Sequence, residues 1–99
     1  MILAKFITLM TLLKFKKEQN MKEKIINEIK TQIQDAEIEL YINNEKYFNA
    51  IIISDEFKNK TLIDRQKIIY NIIEKYISNK TIHAISFKTY TKEEWINKI

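Results

Sequence analysis

Ninety-nine residues with 17 basic and 13 acidic side chains describe one small, mildly basic domain. With no cysteine there is no disulfide, no thiolate-bound zinc and no cysteine nucleophile, so a metal ligand must be the single His83, a carboxylate or, as a weaker donor, a tyrosinate. Isoleucine, lysine and asparagine dominate (21, 16 and 9 residues) and valine is absent, a drift toward A/T-rich codons that inflates the lysine count and weakens a basic pI as an argument for nucleic acid.

The first twenty residues carry a net charge of +3 and the remaining chain only +1, so the body is nearly neutral. Within this extension the stretch Phe6–Leu13 is apolar apart from threonine and is flanked by Lys5 and Lys14. Eight residues are too few to span a bilayer, which takes about 20, and no membrane partner is expected. Arginine and a small-residue cleavage site are both lacking, so neither a transit nor a signal peptide is favoured. Three readings stay open: a translated upstream stretch with Met21 as the native start, which is favoured; an amphipathic surface helix; or an added targeting segment. The domain proper is expected over 21–99. The lack of cysteine fits a reducing, cytoplasmic compartment.

From Met21 onward the pattern is regular. Ile25, Ile26, Ile29 and Ile33 recur at spacings of three and four, which predicts an amphipathic helix over 22–33. Asp35-Ala36 breaks it. Ile38, Leu40 and Ile42 then alternate with polar or aromatic neighbours, as in a half-buried strand over 37–42. Asn43-Asn44-Glu45-Lys46 reads as a hairpin turn, and 47–54 as the returning, more central strand. After a short turn, Thr61 is an N-cap with Asp64 near the positive end of the helix dipole. The helix runs to about Ile77, with Ile63, Ile69, Tyr70, Ile73, Tyr76 and Ile77 assigned to its apolar face. A third strand follows over 81–90, parallel to the second because a helix crosses between them. Thr91-Lys92-Glu93-Glu94 is a capping box opening a last short helix, with Trp95 as a packing residue. The fold class is therefore α+β, in the order α-β-β-α-β-α, with a three-stranded mixed sheet packed on two helices.

Two stretches carry more than periodicity. Phe57-Lys58-Asn59-Lys60-Thr61-Leu62-Ile63-Asp64-Arg65-Gln66-Lys67-Ile68-Ile69-Tyr70 resembles the BolA-family signature F-x-G-x-S-x-V-x-R-H-R-x-V-Y. Ile82-His83-Ala84-Ile85-Ser86-Phe87-Lys88-Thr89-Tyr90-Thr91-Lys92-Glu93-Glu94-Trp95 resembles that family's closing I-H-A-L-S-L-K-T-Y-T-P-E-E-W. The likeness covers about residues 21–97, and Gln66 brings it nearer to the IbaG-like branch. Asn59 stands where the family has glycine, and asparagine also visits the left-handed region. Lys92 replaces the proline at the first helical position. The loop before the second strand lacks the histidine or cysteine of many members.

This resemblance implies a BolA-like fold similar to the class II KH arrangement. It also implies partnership with a monothiol glutaredoxin, the two sharing a [2Fe–2S] cluster in assembly, trafficking or sensing. The partner's cysteine and glutathione would supply thiolates and His83 an imidazole, with Glu45 or Tyr47 as candidate substitutes for the absent loop ligand. A homodimer is a further option. The alternative function is nucleic-acid binding and transcriptional regulation through the 57–70 turn and helix, using Lys58, Lys60, Arg65 and Lys67. Against it, KH domains grip RNA through a G-x-x-G loop and this chain has no glycine. One histidine, no cysteine and no glycine-rich phosphate loop leave little from which to build an active site, so no enzymatic activity is expected.

Overall fold

Alternation along two strands and a spacing of three to four along two helices each produce one apolar face, and the fold is the way these faces close on one another. A computed structural model describes residues 2–43 and 47–98. Its elements are α1 (Ile2–Gln32), β1 (Glu37–Ile42), β2 (Tyr47–Ile53), a 3-10 turn (Asp55–Phe57), α2 (Leu62–Ser78), β3 (Ala84–Tyr90) and α3 (Lys92–Lys98). The sheet order is β1-β2-β3, with β1 antiparallel and β3 parallel to the central strand. The expected α-β-β-α-β-α order and mixed sheet are both present. The 43–46 turn falls largely outside the described residues.

Register aligns three apolar rows across the helix-facing side: Ile42–Phe48–Ile85, Leu40–Ala50–Phe87 and Ile38–Ile52–Thr89. Onto them pack Ile25, Ile29 and Ile33 of α1 and Ile69, Ile72, Ile73 and Tyr76 of α2. Each fully buried isoleucine contributes about 1.5–3 kcal/mol of transfer free energy, so this layer is the main source of stability. Burial also pushes the Tyr76 hydroxyl pKa up.

Three expectations need correction. The first helix does not begin at residue 22: α1 is one 31-residue helix from Ile2. The chain has no glycine or proline to interrupt it, and apart from Asn20 the run across 16–24 consists of good helix formers. Nor do Ile63 and Tyr70 lie in the core; they are 67% and 46% exposed. The buried face of α2 is Arg65, Ile69, Ile72, Ile73 and Tyr76, the offsets 0, 4, 7, 8 and 11 that one helical stripe requires. The third strand is also shorter at its start, because residues 81–83 precede the pairing.

The ends of the elements are tied by two carboxylates. Asp35, just after α1, accepts from Ser54 Oγ at 2.5 Å and from the Asp55 amide at 3.0 Å, while Lys92 Nζ lies 3.9 Å away. The Ser54 hydroxyl, then the Asp55 amide and Lys92, hold the Asp35 carboxyl below its usual range. At the other junction the capping box forms as expected: the Thr91 amide donates to Glu94 Oε1 at 2.7 Å and the Glu94 amide to Thr91 Oγ1 at 3.1 Å. Arg65 Nη1 donates to the same Glu94 oxygen at 2.7 Å, so α3 is clamped to α2. The Thr91 amide first, and Arg65 next, lower the Glu94 pKa. Trp95 is half-buried and packs on Tyr90 with ring centroids 5.3 Å apart.

Both carboxyls are depressed in the folded state, so their stabilisation is complete above about pH 5 and drains as pH falls through the ordinary carboxylate range near 4 toward the lower folded values. Equilibrium urea unfolding against pH should show this acid limb, and Asp35→Asn should flatten it while lowering stability at pH 7. One buried polar atom, Thr89 Oγ1, has no hydrogen-bond partner among the described residues. Thr89→Val keeps the shape and removes the stranded hydroxyl, and should raise unfolding free energy by about 1 kcal/mol in the same assay.

Candidate functional site

The site is set by how the chain returns from α2. Asn79 ends that helix, and Lys80 takes a left-handed turn with φ of 65°. Ile82 then plugs into the core, its amide donating to Tyr76 O at 2.9 Å. With Ile82 anchored and Ala84 starting β3, His83 between them is held at the surface with its side chain exposed. Parallel register places Ala84 beside Tyr47, the first residue of β2. The Tyr47 ring approaches His83 with centroids 6.4 Å apart, and the Tyr47 amide donates to Asn43 Oδ1 at 3.1 Å. His83 therefore stands at the mouth of the β1–β2 hairpin. Of the two substitute ligands, Tyr47 is beside it and Glu45 lies outside the described residues.

Running from this end, α2 and β3 form the walls of a groove of about 370 Å³ lined by Ile63, Gln66, Lys67, Tyr70, Asn71, Ile85 and Phe87. Gln66 Nε2 bridges the walls by donating to Phe87 O at 3.1 Å. β3 is an edge strand, so its outer backbone groups face this groove without a strand partner. Ile63 and Tyr70, expected in the core from their spacing, instead give the groove its exposed apolar surface. Once Ile69, Ile72, Ile73 and Tyr76 form the core stripe of α2, position 65 falls on it and positions 63 and 70 beside it, but isoleucines on both sides leave that choice of stripe open in the sequence.

That phase also removes a member from the basic set. Arg65 is 6% exposed, with Nε donating to Lys60 O at 3.0 Å and Nη1 to Glu94, and its guanidinium lies over the Phe57 ring. It is a structural cation and is not presented to solvent as the nucleic-acid reading required. Lys60 Nζ donates to Glu56 O at 2.7 Å, and Lys58 sits 4.0 Å from Asp55. Lys67 alone of the four lines the groove. Asn59, as expected for a glycine replacement, has a positive φ of 62°.

Among the described residues no group of three or more His, Asp or Glu side chains converges to hold a metal ion. What the site offers is one accessible imidazole at the head of the strand whose residues Ile85 and Phe87 line an apolar groove. Such an arrangement can contribute a ligand to a centre completed by another molecule.

Comparison with known proteins agrees with this architecture. A sequence model described as BolA-like protein matches residues 16–94. A protein of Buchnera aphidicola subsp. Baizongia pistaciae is 49% identical over 55 residues, covering 56% of this chain and 70% of the relative. The acid stress protein IbaG of Escherichia coli is 29% identical over 72 residues, covering 70% of this chain and 86% of IbaG. The DNA-binding transcriptional regulator BolA of Escherichia coli is 33% identical over 52 residues, covering 52% of this chain and 49% of that protein. Among solved structures, the BolA domain of SufE1 from Arabidopsis thaliana superposes with a TM-score of 0.64 at 25% identity, over 73% of this chain and 92% of that one.

If the groove residues lie outside the core, then Ile63→Asp should change unfolding free energy by no more than about 0.5 kcal/mol. Ile69→Ala, on the adjacent stripe, should cost about 2–5 kcal/mol. Urea titrations of the two variants give the comparison directly, and equal losses would return Ile63 to the core.

Proposed function

The chain belongs to the BolA family, and from that premise we propose that it is a non-enzymatic accessory protein that pairs with a monothiol glutaredoxin and shares a [2Fe–2S] cluster with it. The observation that carries this reading is the exposed His83 at the head of β3, beside Tyr47 and two residues before Ile85, which lines the α2–β3 groove. One imidazole cannot hold a cluster, so the thiolates must come from outside; a glutaredoxin cysteine and glutathione are such donors. The groove supplies what a partner needs besides a ligand: apolar area from Ile63, Tyr70 and Phe87 and an open strand edge.

Imidazole in place of thiolate raises a cluster's reduction potential and gives a bond that protonation can break. Because the loop before β2 has neither histidine nor cysteine, His83 is this chain's single nitrogen ligand. A phenolate from Tyr47 is a poor match for this type of centre. Such a shared cluster favours hand-over or sensing more than storage, in the cytoplasm where glutathione is abundant.

The nucleic-acid reading draws on the printed name of the Escherichia coli relative, a DNA-binding transcriptional regulator. Of the four cations that would serve it, Arg65 is buried on Glu94, leaving Lys58, Lys60 and Lys67 exposed, with Lys60 Nζ bonded to Glu56 O and Lys58 near Asp55. It therefore ranks second.

The test is anaerobic reconstitution with a monothiol glutaredoxin, glutathione, iron and sulfide, followed by visible circular dichroism. A heterodimer spectrum distinct from the glutaredoxin homodimer, lost in His83→Ala, is expected. Ile63→Glu with Tyr70→Glu should weaken the cluster-free complex at least about tenfold, as removal of a hot spot does. A homodimer spectrum alone would sink the proposal, and DNA binding with a steep salt dependence would replace it.

A further inference from the structure

α1 is much longer than its core contacts require. Its 31 residues extend about 46 Å, yet among the described residues its contribution to the core begins at Met21 and continues through Ile25, Ile26 and Ile29 to Ile33 at its end. The helix accordingly stretches the molecule to 58 Å in its longest dimension against 32 and 21 Å in the others. On the projecting half, Leu9, Met10, Leu12 and Leu13 are each between 54% and 59% exposed. At 100° per residue these four side chains fan over an arc of about 160°. Immediately toward the domain, Lys14, Lys16 and Lys17 are exposed as well. No acidic residue occurs between positions 2 and 17. Residues 2–15 also precede the region shared with the family, which starts at 16.

We propose that this projecting half of α1 docks the protein on an anionic lipid surface. Leu9, Met10, Leu12 and Leu13 would enter the acyl boundary while Lys14, Lys16 and Lys17 pair with anionic headgroups. Charge complementarity selects this occupant. A second copy would bring two lysine belts together with no carboxylate in residues 2–17 to offset them. A nucleic acid would satisfy the lysines but leave four large apolar side chains in water. A lipid interface takes both, because lysine stems lie along apolar surface while their ammonium groups stay at the headgroups. The absence of a helix long and apolar enough to cross a membrane among the described residues does not bear on surface docking. The arrangement leaves His83 and the α2–β3 groove to a partner, so surface attachment and cluster sharing are separable.

Flotation of the full-length protein with vesicles tests it. With equal parts phosphatidylcholine and phosphatidylglycerol the protein should float with the vesicles, and at high salt or with phosphatidylcholine alone it should largely remain behind. Each lysine at an anionic surface strengthens binding about fivefold, so Lys14→Gln, Lys16→Gln and Lys17→Gln together should weaken it about a hundredfold. Leu12→Glu with Leu13→Glu should abolish it with an unchanged far-ultraviolet circular dichroism spectrum. Four results would overturn the proposal: no flotation on the mixed vesicles, binding indifferent to the triple lysine change, a lipid-free dimer that Leu12→Glu with Leu13→Glu dissolves, or a native chain whose amino terminus is Met21.

Discussion

Parallel pairing of β3 with β2 is the constraint from which the remaining architecture follows. An antiparallel third strand could have been joined by a few residues, but a parallel one must return to the end where β2 began. The return is made by α2, whose 17 residues travel the length of the sheet and whose apolar stripe covers it on the way. Parallel register then lines up the starts of the two strands, so that Ala84 lies beside Tyr47 and His83 comes to the hairpin mouth. With β2 filled on both sides, the outer edge of β3 is left open. The position of His83, the groove and the open edge are thus consequences of one connection.

That connection would leave a loosely attached third strand without the two polar junctions. Glu94 is the economical one: a single carboxylate caps α3 through the Thr91 amide and pairs with the buried Arg65 of α2. An unpaired guanidinium in that position would be costly, since hydrogen bonds to charged groups are worth about 1.5–3 kcal/mol. Glu94 itself is nearly half exposed, which keeps its own desolvation small. Asp35 performs the matching task where α1 ends, holding Ser54 and the 3-10 turn against the start of α3. Both strand ends are fixed by carboxylates, and both junctions therefore share a sensitivity to acid.

Much of this was legible in the residues. The strands, the Thr61 cap and the Thr91–Glu94 box depend on local chemistry, where a side chain satisfies an amide within three or four positions, and local chemistry is written in sequence order. The phase of α2 was not so written, because isoleucine occurs on both sides of the helix. Ile63, Ile68, Ile69, Ile72, Ile73 and Ile77 offer more than one apolar stripe, and the choice among them depends on the depth at which Arg65 meets Glu94, 29 residues away. The extent of α1 was hidden for a different reason: among its described residues before Met21 none belongs to the core, so no buried stripe sets a pattern there, and without glycine or proline nothing interrupts the helix. The left-handed turn at Lys80 was likewise unannounced, because lysine carries no preference for it. Asn59 was foreseeable, being the residue that replaces glycine at least cost.

A domain of 99 residues without cysteine has little room for a self-contained metal site, and among the described residues no such cluster of ligands converges. A closed site needs several ligands converging from different elements, each with its own supporting hydrogen bonds, and every such group displaces apolar core. Here the layer between sheet and helices is almost wholly aliphatic, and the single histidine is placed outside it by the burial of its neighbour Ile82. The chain thereby keeps a stable core and exposes an imidazole at the same time. The cost is that His83 can act only in company. Its position beside an apolar groove and an unpaired strand edge is then a physical necessity for the proposed role, because a lone imidazole binds too weakly to recruit a partner and the surrounding surface must do so instead.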